Sequence, residues 1–330
     1  MDESRRGTSR SSESELQREM EETFQRSMEE PWRGAGLYGS YLNSPEDIRR
    51  CFIELWPAIE KVLDEPIGVE RALLEMRDLV VYDIPDGTRT TLTMNRNMDV
   101  QLDAGMWCLA FTHTLKSLGA RKVVLMTHTA YNRERGCAEA QRILATVEKG
   151  IAPMADYCSR NKLRVNITGM SDEYELGESI KEAFPPIVDS DFEISFLVDY
   201  REEFFLEERG RLLISLLPDI DVVIRHTKLH ISGGWLPIKT LHSTYLYSQN
   251  GTLYSNWTYD EHVVLVAAAL LAKLLNEGEI LTKTYASIED VKRRHQSREM
   301  NLSNRVVRMH STSKKLFVMG SPLGLVQLYY

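Results

Sequence analysis

Apolar residues recur with two different spacings after residue 43, and the two spacings alternate along the chain. Short β-branched runs are typical of buried strands, whereas longer stretches with apolar residues every three or four positions are typical of helices. The pattern predicts strands at residues 80–84, 91–94, 122–127, 163–168, 192–198, 222–225, 245–247 and 252–254. It predicts helices at residues 69–79, 103–118, 137–161, 176–184, 202–216, 262–276 and 288–297. Strands separated by helices indicate an α/β fold with a mostly parallel central sheet flanked by helices. The run Ser-Gln-Asn-Gly between the last two strands predicts a hairpin turn.

The N-terminal part of the chain differs from the rest. Residues 1–40 are polar and charged, and we expect a disordered polar tail there because so little apolar surface can be buried. Ser44 and Pro45, followed by two acidic residues, have the composition of a helix start. Residues 41–80 are therefore predicted to be a helical extension, and residues 81–330 the main α/β domain.

The composition of the chain limits the classes of protein to which it could belong. The chain has 330 residues, a net charge of −8 and a pI near 5.6, which argues against a nucleic acid partner. The four cysteines are widely spaced and include no CxxC pair, so we expect reduced thiols and a cytoplasmic protein. No apolar run reaches the roughly 18 residues of a membrane span, so no transmembrane segment is predicted.

Polar clusters follow four of the predicted strands. Because the carboxyl ends of parallel strands lie along one edge of a sheet, where ligands bind, we expect these clusters to converge. A cationic group followed by a hydroxyl suits a phosphate or a diphosphate. The clusters contain Asn95, Asn97 and Asp99; Asn132, Arg133 and Arg135; Asp199, Glu202 and Glu203; and Arg225, Lys228, His230 and Ser232.

Each cluster also has a structural interpretation. Asn97 and Asp99 could cap the helix that follows, and acids such as Glu202 stabilise a helix N-terminus. Arg225 is harder to explain in this way, because a cation that ends a buried strand requires a partner. The histidines His113, His128 and His242 lack the spacing of metal ligands and are expected to be structural.

Taken in order, these clusters resemble the signatures of the cis-prenyltransferase family, which includes undecaprenyl diphosphate synthases. The likeness covers residues 90–260, about half of the chain. The family's Met-Asp-Gly-Asn-Gly-Arg-Trp resembles residues 94–100, and its Phe-Ser-Thr-Glu-Asn-Trp-x-Arg resembles residues 127–135. Its Asn-Tyr-Gly-Gly-Arg resembles residues 199–203. Its Asp-Leu-Leu-Ile-Arg motif, with the later Arg-Ile-Ser-Asn, resembles residues 221–225 and 230–233.

The resemblance implies a cis-prenyltransferase-like fold for residues 81–330 and, as a rule for the family, a homodimer. It assigns Asn95, Asn97 and Asp99 to the catalytic loop. It also assigns substrate binding to Asn132, Arg135, Arg225, His230 and Ser232.

Several departures from the family bear on the metal. The aspartate that anchors magnesium falls on Asn95, and the metal-site glutamate falls near Ser243 or Tyr245. Magnesium is therefore a possible cofactor without its usual acidic ligands, and the metal ligands are unknown. Asp99, Asp199, Glu202 or Glu203 could supply a relocated site, or cations alone could stabilise the diphosphate.

The resemblance implies two classes of function. The first is an enzyme that processes isoprenoid diphosphates in isoprenoid biosynthesis, as a divergent prenyltransferase or as a terpene cyclase acting on allylic diphosphates. The alternative is a catalytically inactive prenyltransferase-like partner subunit or an isoprenoid-diphosphate-binding protein. We favour the enzyme because Asn97, Asn132, Arg135, Arg225 and Ser232 are retained.

Overall fold

The computed structural model describes residues 43–63, 65–85, 100–134, 136–169, 180–184, 186–226, 234–248, 259–280, 288–289, 292, 305–308, 316–321 and 324–329. The predicted tail, the predicted strands 91–94 and 252–254, and most of the predicted helix 288–297 lie outside these residues. The tail and the proposed boundaries at residues 40 and 80 stay predictions.

Nine strands form a single sheet within the described residues. In chain order they are β1 (Val80–Ile84), β2 (Lys122–Met126), β3 (Arg164–Gly169), β4 (Glu193–Val198), β5 (Val222–His226), β6 (Thr244–Ser248), β7 (Arg305–Arg308), β8 (Leu316–Ser321) and β9 (Gly324–Tyr329). Their order across the sheet is β3-β4-β2-β1-β5-β6-β8-β9-β7. The first six are parallel, whereas β8 runs antiparallel to both β6 and β9. The predicted α/β class, with its mostly parallel sheet, is therefore confirmed.

Six α-helices of the described residues accompany the sheet. They are α1 (Pro45–Ile59), α2 (Val69–Glu75), α3 (Val100–Ser117), α4 (Cys137–Arg160), α5 (Glu208–Ser215) and α6 (Tyr259–Ile280). In α6 every residue from 263 to 272 is fully buried, as expected of a helix that is apolar on all sides. None of the described helices is long and apolar enough to cross a bilayer.

The predicted N-terminal helix forms as α1 and packs against α3 and α6. Its start is capped by Ser44, whose hydroxyl accepts a hydrogen bond from Asp47 N at 3.0 Å. Phe52 and Trp56 on one face of α1 are fully buried. His113 of α3 lies 2.9 Å from the Asn43 carbonyl through Nε2 and 2.9 Å from the Tyr157 hydroxyl through Nδ1. These contacts connect the helical extension to the α/β core.

The strands bury side chains on both faces of the sheet, so the core consists of two apolar clusters. Alternate residues of β1 divide between them: Val81 belongs to the larger cluster, and Tyr82 and Ile84 belong to the smaller one. The same alternation holds in β5, where Ile224 packs in the larger cluster and Val223 in the smaller one. Near-continuous apolar strands are therefore the sequence signature of a sheet covered on both sides.

Two predicted elements differ from the structure. Residues 202–216 form a 3₁₀ turn at Glu202–Leu206 and then α5, separated by Glu207 in an extended conformation. The chain turns back sharply there, and a Cβ on Gly210 would lie only 1.8 Å from the Phe204 carbonyl oxygen. The predicted hairpin is absent at β6 within the described residues, because β6 has β5 on one side and β8 on the other.

Candidate functional site

The register of the parallel strands brings their carboxyl ends together. Ile84 of β1 pairs with Arg225 of β5, and Arg225 pairs with Tyr247 of β6. On the other side of β1, Met126 of β2 pairs with Leu197 of β4. The convergence that the sequence predicts is therefore seen for the described residues that follow β2 and β4, and Arg225 of β5 lies at the same edge of the sheet. Of the predicted site residues, Asn132 and Arg225 are described, whereas Asn95, Asn97, Asp99, Arg135, His230 and Ser232 lie outside the described residues.

Arg225 is a buried cation at this edge of the sheet, with only 3% of its surface exposed. Its charge acts on two phenols. Burial raises the pKa of Tyr82 and of Tyr247, and the positive charge of Arg225 opposes that rise in both. The guanidinium therefore lies close enough to both tyrosines to influence them, on the face of the sheet that holds the smaller cluster. Placing such a group among buried aromatic side chains is costly unless its charge is compensated.

Asn132 ends a short 3₁₀ turn, Ala130–Asn132, that follows β2. Its backbone amide donates to the Thr129 carbonyl at 2.9 Å, and the residue is half-buried. Two contacts hold this turn against the residues that follow β4: Thr129 forms an isolated bridge with Tyr200, and Ala130 N donates to Tyr200 O at 2.9 Å. Backbone contacts therefore join the residues that follow β2 to the residues that follow β4.

A buried charged group occupies the junction between these clusters. Arg133 donates two hydrogen bonds to Asp199, from Nε to Oδ1 and from Nη2 to Oδ2, both at 2.8 Å. His128 Nδ1 lies 2.6 Å from Asp199 Oδ1, and both side chains are fully buried. The imidazole is therefore in direct polar contact with the carboxylate. Asp199 has a φ of 53°, a strained conformation for a residue with a side chain.

The contacts of Asp199 affect its pKa. Burial by itself would raise it, but the interactions with His128 and Arg133 outweigh burial and hold the pKa below its usual value. The carboxylate is therefore charged at neutral pH. Sequence analysis expected His128 to be structural and listed Arg133 only as a member of the cluster after β2; Arg133 is bound to a buried acid.

A second set of contacts holds residues 234 and 235. These residues follow His230 and Ser232, the predicted substrate-binding residues, in the sequence. The Tyr82 hydroxyl donates to the Gly234 carbonyl, and the Tyr200 hydroxyl donates to the Trp235 carbonyl at 2.6 Å. Trp235 N donates to Glu202 Oε1 at 3.1 Å. We call this set the tyrosine clamp. It uses β1 and the residues after β4 to hold the chain on the smaller-cluster face.

Of the four acids considered for a relocated metal site, Asp99 lies outside the described residues and the other three bind neighbouring groups. Both oxygens of Asp199 bind Arg133, Glu202 accepts from Trp235, and Glu203 Oε2 accepts from the Tyr131 hydroxyl at 2.8 Å. The Tyr131 hydrogen bond lowers the pKa of Glu203. Among the described residues, no group of three or more His, Cys, Asp or Glu side chains is arranged to hold a metal ion.

β1 lies between β2 and β5 in the parallel part of the sheet. Along the chain, β1 is followed directly by Pro85-Asp86-Gly87-Thr88-Arg89, so an aspartate and a glycine also follow this apolar strand. Sequence analysis placed the first family signature after a strand at residues 91–94, which lies outside the described residues.

Comparisons with known proteins give structural likeness only. No protein-family model matches the chain, and no curated protein matches it. The chain is similar to lavandulyl diphosphate synthase from Lavandula x intermedia, whose structure was solved in complex with dimethylallyl diphosphate. The two chains share 13% sequence identity, the TM-score is 0.49, and the match covers 58% of this chain and 94% of the synthase. This chain is also similar to a probable undecaprenyl diphosphate synthase from Campylobacter jejuni, with 14% identity and a TM-score of 0.43 over 58% and 94% of the two chains. In its fold, the chain is similar to these two diphosphate synthases.

Proposed function

We propose that this chain is an isoprenoid-diphosphate-processing enzyme, either a divergent prenyltransferase or a terpene cyclase, with its site at the carboxyl edge of β1, β2, β4 and β5. The observation that carries the proposal is Arg225. It is a buried guanidinium at the end of a central parallel strand, where ligands of such sheets bind. A guanidinium offers several donors in a plane and suits the oxygens of a diphosphate.

The surroundings of Arg225 are apolar. Tyr82, Val223 and Leu236 pack in one buried cluster on the same face of the sheet, and the ligand that we propose is anionic at one end and apolar at the other. The tyrosine clamp ends the segment that contains His230 and Ser232, which supply a further cation and a hydroxyl by the sequence resemblance. We assign Asn132 and Arg135 to the same diphosphate site, because they follow β2 at this edge.

Asp86 is our candidate for the carboxylate that binds magnesium. It comes two residues after the end of β1, the strand beside β5, and a carboxylate oxygen is the ligand that this cation prefers. Asn95, which the sequence resemblance places there, carries no charge. When bound, magnesium would neutralise the leaving diphosphate. Asn97 and Asp99 remain candidates for the same loop.

We further propose a homodimer. Leu212 and Leu216 are 64% and 73% exposed, and Ile238 and Leu241 are 54% and 72% exposed. The two segments are neighbours, since Ile220 N donates to Lys239 O at 3.0 Å. Exposed apolar residues grouped in this way are typical of an association surface. Leu216→Glu should make the protein monomeric, as measured by light scattering. Leu74→Glu, at an exposed position of α2, should leave the oligomeric state unchanged. A monomeric wild type would contradict the proposal.

The test of function is incubation of the purified chain with dimethylallyl, geranyl, farnesyl or geranylgeranyl diphosphate, with and without isopentenyl diphosphate and magnesium. Products are identified by mass spectrometry. A product that requires isopentenyl diphosphate indicates a prenyltransferase, and a product from one allylic diphosphate alone indicates a cyclase. Binding without any product would support the partner-subunit or binding-protein alternative. Absence of binding to every diphosphate would overturn the proposal.

A further inference from the structure

His128 is a buried residue to which the proposed function assigns no role. It comes two residues after the end of β2, and only 1% of its surface is exposed. Nε2 has no hydrogen-bond partner among the described residues, whereas Nδ1 lies 2.6 Å from Asp199 Oδ1. A buried polar atom without a partner is destabilising, so Nε2 calls for an explanation.

The position of Asp199 defines the protonation of one ring nitrogen. A lone pair on Nδ1 at 2.6 Å from a carboxylate oxygen would be repelled, so Nδ1 carries a proton. Nε2 is then the nitrogen that gains or loses a proton. A carboxylate that fixes one nitrogen of an imidazole leaves the other free for proton transfer to a ligand.

The charges in this group favour an anion beside Nε2. The groups that face His128 in the described contacts are Asp199, from the end of β4, and Arg133, which binds the same carboxylate. The negative charge of Asp199 is already balanced by Arg133, so a neutral His128 gives a neutral group and a protonated His128 gives a charge of +1. A buried excess positive charge is stabilised by a nearby anion.

We propose that His128 is a catalytic residue that donates a proton from Nε2 to the diphosphate, an inference that rests on the proposed function. In the reaction, the bond between the allylic carbon and the diphosphate oxygen breaks, and its electron pair goes to that oxygen. The proton on Nε2 passes to the same diphosphate, which leaves a neutral imidazole and an allylic cation. Asp199 and Arg133 are positioning residues that hold the ring.

The geometry of the sheet permits this role. β1 alone separates β2 from β5, so the ends of those two strands lie about 10 Å apart. Arg225, at the end of β5, has a long side chain, and both residues are buried at the same edge. The proposal places one diphosphate beyond the buried side chain of Ile84, with the guanidinium on one side and the imidazole on the other.

The first measurement is proton uptake when inorganic pyrophosphate binds. Calorimetry in two buffers with different ionisation enthalpies gives the number of protons taken up, and His128→Gln serves as the variant because glutamine keeps an N–H donor but does not titrate. Near pH 7.5, wild type should take up about one proton more than His128→Gln. The difference removes the contribution of pyrophosphate itself. His242→Gln, at an exposed position, is the matched control and should behave as wild type.

The second measurement is turnover of the substrate found in the test of function. His128→Gln should bind with little change in KM and lose about 10²- to 10⁴-fold in kcat, which is the usual contribution of a general acid. If His128→Gln does not fold, as judged by circular dichroism, His128→Asn replaces it.

Two results would overturn the proposal in distinguishable ways. If wild type and His128→Gln bind pyrophosphate with equal proton uptake and turn over equally, the role of His128 is wrong and the proposed function stands. If wild type binds neither pyrophosphate nor any isoprenyl diphosphate, the proposed function fails and the role of His128 fails with it.

Discussion

The hydroxyl of Tyr82 donates a hydrogen bond to the carbonyl of Gly234, which lies 152 residues further along the chain. Tyr82 belongs to β1, which lies between β2 and β5, and Gly234 follows the segment that contains His230 and Ser232 in the sequence. The bond is buried, and Tyr200 reinforces it by binding the next carbonyl. These two contacts hold residues 234 and 235 on the sheet.

Gly234→Ala should destabilise the protein through two separate effects. Gly234 has a φ of +86°, where a side chain costs about 1–2 kcal/mol, and a Cβ there would lie 2.8 Å from Met126 Cε and 3.2 Å from the Tyr82 hydroxyl. Gly68→Ala is the matched control, because Gly68 has a φ of +74° and nothing within 4 Å. Thermal unfolding should show the larger loss for Gly234→Ala. Equal losses would mean that the tyrosine clamp tolerates displacement.

Arg225→Ala should weaken the binding of pyrophosphate. A charge-assisted hydrogen bond contributes roughly 1.5–3 kcal/mol, which corresponds to about a 10- to 150-fold increase in Kd. Arg71→Ala removes an arginine from a surface pair with Glu75 and should leave Kd unchanged. Calorimetric titration of both variants gives the comparison, and an unaltered Kd for Arg225→Ala would remove this residue from the site.

The two candidate positions for the magnesium ligand, Asp86 and Asn95, lead to opposite predictions for their variants. If Asp86 binds the ion, Asp86→Asn should lower magnesium-dependent kcat by about 10²-fold or more, because a hard cation loses its charged ligand. Asn95→Asp should then have little effect. If the alignment that places the family's aspartate on Asn95 is right, Asn95→Asp should instead raise activity. Turnover measured against magnesium concentration for the two variants decides between the positions.

Acid should weaken the contacts around Asp199. Because the folded-state pKa of this carboxyl is below its unfolded value of 3.8, the stabilisation is fully present above the unfolded value and is lost as pH falls through the folded one. Asp199→Asn should cost about 3–5 kcal/mol near neutral pH, as expected for breaking a buried ion pair, and less in acid. Denaturant unfolding at a series of pH values measures both effects. Asp156→Asn, in a surface pair with Arg160, should be nearly neutral throughout.

Local patterns predicted most of the described elements. β1, β2, β4 and β5 lie within one residue of their predicted bounds, because β-branched runs of that length form strands buried on both faces. The division of the predicted helix 202–216 was not visible, since the close approach of Gly210 to Phe204 depends on a fold-back of the chain. The predicted hairpin failed at β6 because β8, about 70 residues later, takes the edge that a hairpin partner would need.

The sequence by itself determined the class of the fold, the order of strands and helices, and the edge of the sheet at which polar residues gather. These features follow from apolar spacing and from the rule that parallel strands share a carboxyl edge. Only the tertiary structure decided that β1 lies between β2 and β5, and that Arg133 and His128 both contact Asp199. It also decided that Tyr82 and Tyr200 hold residues 234 and 235. Each of these contacts joins residues more than 30 positions apart, and hydrogen-bond partners at such separations are fixed by the packing of the strands, which no local pattern records.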